Sequence, residues 1–64
     1  EALSAQQIAE LQRLLANHGY PVEQIDGKLG LATRRAVRAA QMKLGLPADS
    51  YPTAELIARL RNAR

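Results

Sequence analysis

Few residues in this 64-residue chain are equipped for chemistry. His18 is the only histidine and there is no cysteine. A catalytic nucleophile needs a base within hydrogen-bond reach and a third group to orient that base. No Ser or Asp stands at a recognisable spacing from His18, and a histidine closing a helix is favoured there by the dipole alone. Asp26 and Asp49 are the one pair imaginable as acid and base. Both sit in turn-forming pairs, Asp26-Gly27 and Asp49-Ser50, where Asp is expected for conformational reasons. One His and two isolated Asp do not complete a metal-ligand set. Gly27-x-x-Gly30 lacks the following Lys-Ser or Lys-Thr of a phosphate-binding loop. The sequence thus points away from catalysis, with no catalytic residue or metal expected, and leaves binding chemistry, for which the cations Arg34, Arg35 and Arg38 stand close together in sequence.

The elements that must position these residues are helices. Leu and Ala supply 22 of the 64 residues, and Phe and Trp are absent. Leu and Ala favour helix, whereas the β-branched and aromatic residues that favour strands are scarce. That composition argues against a small β-barrel or sandwich. A chain of this length buries only about 60% of its unfolded surface, so one core and one domain, residues 1–64, are expected. Without cysteine no disulfide can staple it. No apolar run is long enough to span a bilayer, and no signal-peptide pattern is present in these residues. The start at Glu1 rather than Met suggests a processed protein or a module of a longer one.

Ser4 and Gln7 have capping-box spacing. Ile8, Leu11 and Leu15 follow at helical intervals with Leu14 beside them, and Gly19 can take the left-handed conformation that ends a helix. Helix one is predicted over about residues 5–18. Tyr20 to Gly30 is an ordered connector, with room for one short extended piece, pinned by Val22, Ile25 and Leu29. Helix two is predicted over about residues 31–44. Thr33, Ala36, Val37, Ala40 and Leu44 share its apolar arc, Arg34, Arg35 and Arg38 form a second arc, and Gln41 lies between them beside Arg34. Gly45 ends it. Pro52 suits the first turn of helix three. Glu55 at its start and Arg59, Arg61 and Arg64 at its end oppose the dipole, and Leu56, Ile57 and Leu60 form its buried stripe. The fold class is all-α: a small three-helix bundle with an ordered Gly/Asp-containing loop between helices one and two. An internal echo runs through it. Gln12-x-x-Leu15, Gly19, Pro21, Asp26-Gly27 and Thr33 recur as Gln41-x-x-Leu44, Gly45, Pro47, Asp49-Ser50 and Thr53. That is too little for a solenoid; it is either one helix-loop unit used twice or coincidence.

The formal charge is +3, with Arg outnumbering Lys seven to two. Such a balance favours anionic partners without choosing among nucleic acid, membrane surface and acidic polymer. Three helices with Arg34, Arg35 and Arg38 on the middle one are compatible with a small basic nucleic-acid binder. The dozen-residue connector is too long for a helix-turn-helix, and few aromatics are available for stacking bases.

The ordered set Gly19-Tyr20, Asp26-Gly27, Gly30, Thr33, Ala36-Val37, Gln41, Gly45-Leu46 and Asp49 resembles the three-helix peptidoglycan-binding domain appended to cell-wall hydrolases, over about residues 8–60. The stretch from Asp49 to Thr53 with Glu55-Leu56 is similar to the C-terminal module of lytic murein transglycosylases. Ala40, Leu31 and Ser50 depart from the family's usual aromatic, Pro and Gly. The resemblance implies a non-catalytic module that tethers a hydrolase to its polymer in the periplasm or outside the cell. It implies a monomer, covalently linked to a catalytic domain, with peptidoglycan as partner and no nucleic acid, membrane span or cofactor. Packing on the parent enzyme as a regulatory domain is the other reading. A glycan and its peptide stems need an aromatic face, amide or hydroxyl partners, and a cation for carboxylates. The implied ligand-binding residues are therefore Tyr20, Asp26, Gly27, Arg34 and Gln41. Each has a structural alternative: Tyr20 packing over the helix end, Asp26 capping a loop, Gln12 and Gln41 tying loop to helix, Thr33 making a local backbone bond, and the arginines forming a solvated face.

Overall fold

The computed structural model describes residues 3–63. Three helices follow in order, α1 (Ala5–Asn17), α2 (Leu31–Leu44) and α3 (Ala54–Asn62), and no strand occurs among the described residues. The α1–α2 connector accordingly lacks the extended piece for which its sequence had room. Helix α1 is the shared partner, packing against both α2 and α3. The core between them consists of Leu11, Leu15, Ala36, Val37, Ala40, Leu56, Ile57 and Leu60. Leu3, Leu14, Tyr20, Val22, Leu44 and Leu46 close its margins. With no large aromatic to fill space, small Ala36 and Ala40 on α2 let the helices close up. The radius of gyration is 10.1 Å, against roughly 10.7 Å expected for this length.

Each helix begins where its cap dictates. Ser4 accepts a hydrogen bond from the Gln7 amide at 3.2 Å, and Gln7 Oε1 accepts one from the Ser4 amide at 2.8 Å, completing the box. Thr53 Oγ1 accepts from the Leu56 amide at 3.2 Å. That bond makes Thr53 the cap of α3 and moves Pro52 out of the helix to the residue before it, where its ring is buried rather than in the first turn. Helices α1 and α2 close alike. The Tyr20 amide donates to the Leu15 carbonyl and the Leu46 amide to the Gln41 carbonyl, both at 2.9 Å. The intervening Gly19 and Gly45 have φ of 87° and 74°. These two-bond closures satisfy carbonyls that the helix leaves unpaired. His18 is the C-cap of α1, one residue beyond its last turn, and its Nε2 lies 2.8 Å from the Leu60 carbonyl of α3.

The helical stripes are buried as expected, with differences at the edges. Ile8 and Leu29 are only half-buried, and Ile25 is 47% exposed, so of Val22, Ile25 and Leu29 it is Val22 that packs on the core, beside Tyr20. Ile25 immediately precedes Asp26, whose turn is held by polar bonds and needs no apolar pin. Glu55 and Arg59 pair at 3.2 Å along α3, and Arg61 pairs with Glu10 of α1. Arg64 lies outside the described residues.

Gly27 marks the closest approach of connector to helix. Its φ is 71°, and a Cβ there would lie 2.8 Å from the Ala5 carbonyl oxygen. Gly30, with φ of −85°, has open space around it. Gly27→Ala is expected to lower stability by about 1–3 kcal/mol from strain and displaced backbone, whereas Gly30→Ala should cost well under about 1 kcal/mol. Urea unfolding of the two variants beside the parent checks this; equal losses would contradict the close approach.

Candidate functional site

The local chemistry of the α1–α2 connector is organised by a side chain inside the fold. Gln12 is 1% exposed. Its Oε1 accepts from the backbone amides of Asp26 and Gly27, both at 3.0 Å. Its Nε2 donates to the Lys28 carbonyl at 3.0 Å, Thr33 Oγ1 at 3.0 Å and Asp26 Oδ1 at 3.2 Å, so two hydrogens are shared among three acceptors. Asp26 Oδ1 also accepts from the Lys28 amide at 2.9 Å. One amide thereby ties α1, the connector and the first turn of α2 together. Thr33 contributes to this tie across the chain, not through a bond to its own helix, because its hydroxyl faces Gln12.

The α2–α3 loop repeats the device. Gln41 is 3% exposed. Its Oε1 accepts from the Ser50 amide at 3.1 Å, and its Nε2 donates to the Tyr51 carbonyl at 3.0 Å and Asp49 Oδ1 at 3.2 Å. Asp49 Oδ1 accepts from the Tyr51 amide at 2.9 Å. Gly27, with φ of 71°, corresponds to Ser50, with φ of 66°. The internal echo is thus one helix-loop unit used twice. Its last pair differs from the pairing read in the sequence. A constant offset of 23 relates Asp26 to Asp49 and the cap Gly30 to the cap Thr53, so Thr33 matches Leu56. No buried side-chain nitrogen or oxygen lacks a partner among the described residues.

Both aspartates are held below the ordinary carboxyl value of 3.8. The Lys28 amide and then the Gln12 amide group stabilise the Asp26 carboxylate, and the Tyr51 amide and then Gln41 stabilise that of Asp49, outweighing desolvation.

The five residues implied as ligand contacts are distributed over different parts of the surface. Arg34 is exposed, as are Arg35 and Arg38, and none of the three forms an ion pair among the described residues. Asp26 lines an open recess of about 80 Å³ with Glu23, Gln24, Lys28 and Gly30. Tyr20 is half-buried and lines a second, of about 120 Å³, with His18, Lys43 and Leu44. Gln41 lies at the floor of a third, of about 160 Å³, walled by Leu46, Pro47, Asp49, Tyr51, Thr53 and Glu55. Gly27 meets α1 through backbone. Gln41 and Gly27 therefore shape loops. Tyr51, 56% exposed at the rim of the third recess, was not singled out by sequence; its place opposite Lys28 in the repeat was the signal. No group of three or more His, Asp or Glu residues able to hold a metal occurs among the described residues, and no described helix is long and apolar enough to cross a membrane.

Residues 4–60, which contain both glutamine-centred clasps, match the model of a family described as "Putative peptidoglycan binding domain". The chain belongs to that family. No curated protein matches it. Among solved structures, SltB3 from Pseudomonas aeruginosa in complex with NAG-anhNAM-pentapeptide is 50% identical with a TM-score of 0.90, over 94% of this chain and 16% of that one. SltB3 in complex with NAG-NAM-pentapeptide is 51% identical with a TM-score of 0.88, over 92% and 16%. This peptidoglycan-binding domain thus spans about one-sixth of the length of SltB3.

Replacing Gln12 by Leu strands two connector amides and the Thr33 hydroxyl. It is expected to cost about 2–4 kcal/mol, which denaturant unfolding would measure. The two aspartates contribute to the acid side of the stability profile. Their pKa values are lower folded than unfolded, so the fold gains their stabilisation above about pH 4 and loses it as pH falls through the folded-state values. Asp26→Asn and Asp49→Asn should each flatten the fall in melting temperature between pH 5 and pH 2, in the order of about one ionising group apiece. A fall as steep as the parent's would show that these carboxylates do not govern it.

Proposed function

We propose that this domain binds bacterial peptidoglycan without cleaving it and tethers an attached cell-wall hydrolase, a lytic transglycosylase, to its polymer. The family match over residues 4–60 carries the reading. The likeness to SltB3 bound to glycopeptide fragments supports it. The tether works in the cell envelope, in the periplasm or outside the cell, as a monomeric unit of a longer chain and without a cofactor. Weak binding suffices, because linkage raises the effective concentration of the catalytic domain at the polymer.

Among the implied contacts, Arg34 supplies a free cation for stem carboxylates and Tyr20 an amphipathic ring at the end of α1. Asp26 presents a carboxylate, ionised at neutral pH, whose direction its loop amides fix. Gly27 and Gln41 act through the shape of the loops they fix. The free arginine trio also favours a second reading, duplex nucleic acid, but residues 18–30 separate α1 from α2 where a helix-turn-helix has a tight turn.

Incubation with insoluble peptidoglycan sacculi at low salt tests the proposal. The 64-residue chain should sediment with the sacculi, and Arg34→Glu should reduce the bound fraction by about fivefold or more while melting like the parent. Full recovery in the supernatant, together with salt-sensitive binding to duplex DNA, would replace this reading by the second.

A further inference from the structure

The two clasps create two equivalent places on the surface, and these have diverged. The offset of 23 places Asp26, Lys28, Gly30 and Ala32 of the first recess onto Asp49, Tyr51, Thr53 and Glu55 of the third. The first recess carries the polar Glu23, Gln24 and Lys28 beside an exposed Leu31, with no aromatic among its lining residues. The third has Leu46, Pro47 and the Tyr51 ring, with the carboxylates of Asp49 and Glu55 and the Thr53 hydroxyl at its edge, and no cation among its lining residues.

Tyr51 is presented on a fixed backbone. Its amide donates to Asp49 Oδ1 and its carbonyl accepts from Gln41 Nε2. The ring nonetheless remains 56% exposed and takes no part in the core. A rigidly mounted, exposed aromatic beside an apolar wall and a few acceptors suits the C–H face and hydroxyls of a sugar ring. The charge pattern disfavours the alternative component of the same polymer. Peptide-stem carboxylates would meet the Asp49 carboxylate with no cation lining the recess, and like charges so placed repel, while Glu55 is already paired with Arg59. The ionised state of Asp49 at neutral pH maintains that bias.

Resting on the peptidoglycan reading, we propose that the Tyr51 recess is a glycan subsite. An uncharged N-acetylhexosamine unit stacks on Tyr51 against Leu46 and Pro47, and its hydroxyls donate to the carboxylates at the rim. Stem carboxylates are left to the cationic surface around Arg34. Recognition is thereby divided, the α2–α3 loop reading sugar and the face bearing Arg34 reading charge.

The test is a titration of the isotope-labelled 64-residue chain, watched by backbone amide shifts, with two probes: a peptide-free N-acetylglucosamine oligomer and a free stem pentapeptide. The oligomer should move the amides of Leu46, Ser50, Tyr51 and Glu55, and the pentapeptide should leave them in place. Tyr51→Ala should weaken oligomer binding by about tenfold, and Tyr51→Phe should retain most of it. Sedimentation with sacculi is run beside it. If the parent sediments while the oligomer leaves these amides unmoved, or if the pentapeptide moves them, the glycan subsite is overturned and the wider reading stands. If the parent does not sediment, both fall. Tyr51→Ala binding the oligomer as the parent does also overturns the subsite, and a melting temperature unchanged from the parent shows that the variant is folded.

Discussion

A buried primary amide is the constraint on which the rest of this molecule depends. A chain this short has long connectors relative to its core, and connectors expose backbone groups that burial would leave unpaired. Glutamine suits such places because it carries two donors and an acceptor with no net charge. Gln12 and Gln41 are sealed inside, yet each serves a loop on the outside. Their bonds turn connectors that would otherwise be mobile into parts of the rigid body, and an aspartate in each turn completes the geometry by accepting from an amide two residues on. A partly satisfied version of such a network would be worse than an apolar one, and here every buried polar side-chain atom described has a partner.

Repetition with divergence follows from that device. Once a glutamine-aspartate clasp fixes the backbone, the side chains displayed around it are free to vary without endangering the fold. Lys28 and Tyr51 occupy equivalent stations on equivalent turns, one a cation and the other an aromatic ring. The core underneath is indifferent to that choice, because neither residue enters it. A single supporting architecture can thereby offer different surfaces to different parts of a composite polymer.

Much of this was legible from residue order. Helical periodicity located α2 at both ends, since Gly45 stops it and the apolar arc from Thr33 to Leu44 is unbroken. The Ser4–Gln7 box located the start of α1. Pro52 misled because proline suits the first turn of a helix as well as the residue before its cap, and only the Thr53 hydroxyl bond decides between them. Gln41 was open between two roles. Its wheel position beside Arg34 suits a surface amide available to a ligand, but a side chain of that length can turn inward when a loop supplies polar partners, and its bonds here go to the loop. Periodicity carries no information about such partners. The repeated order of Gln, Asp and a turn residue did carry it, and pointed to a shared structural role. Tyr51 was harder to find: apart from its place opposite Lys28 in the repeat, nothing in the loop sequence distinguishes a ring held out to solvent from one folded over the core.

Helix α1 stands between the other two. The bundle is therefore completed by a long-range contact: α3, the third helix, finds its main partner in α1, the first. Closure across nearly the whole length is entropically demanding, and local pairing of α1 with α2 alone leaves the apolar stripe of α3 without a seat. The nine residues of α3 are thus the keystone that turns a hairpin of two helices into an assembled unit.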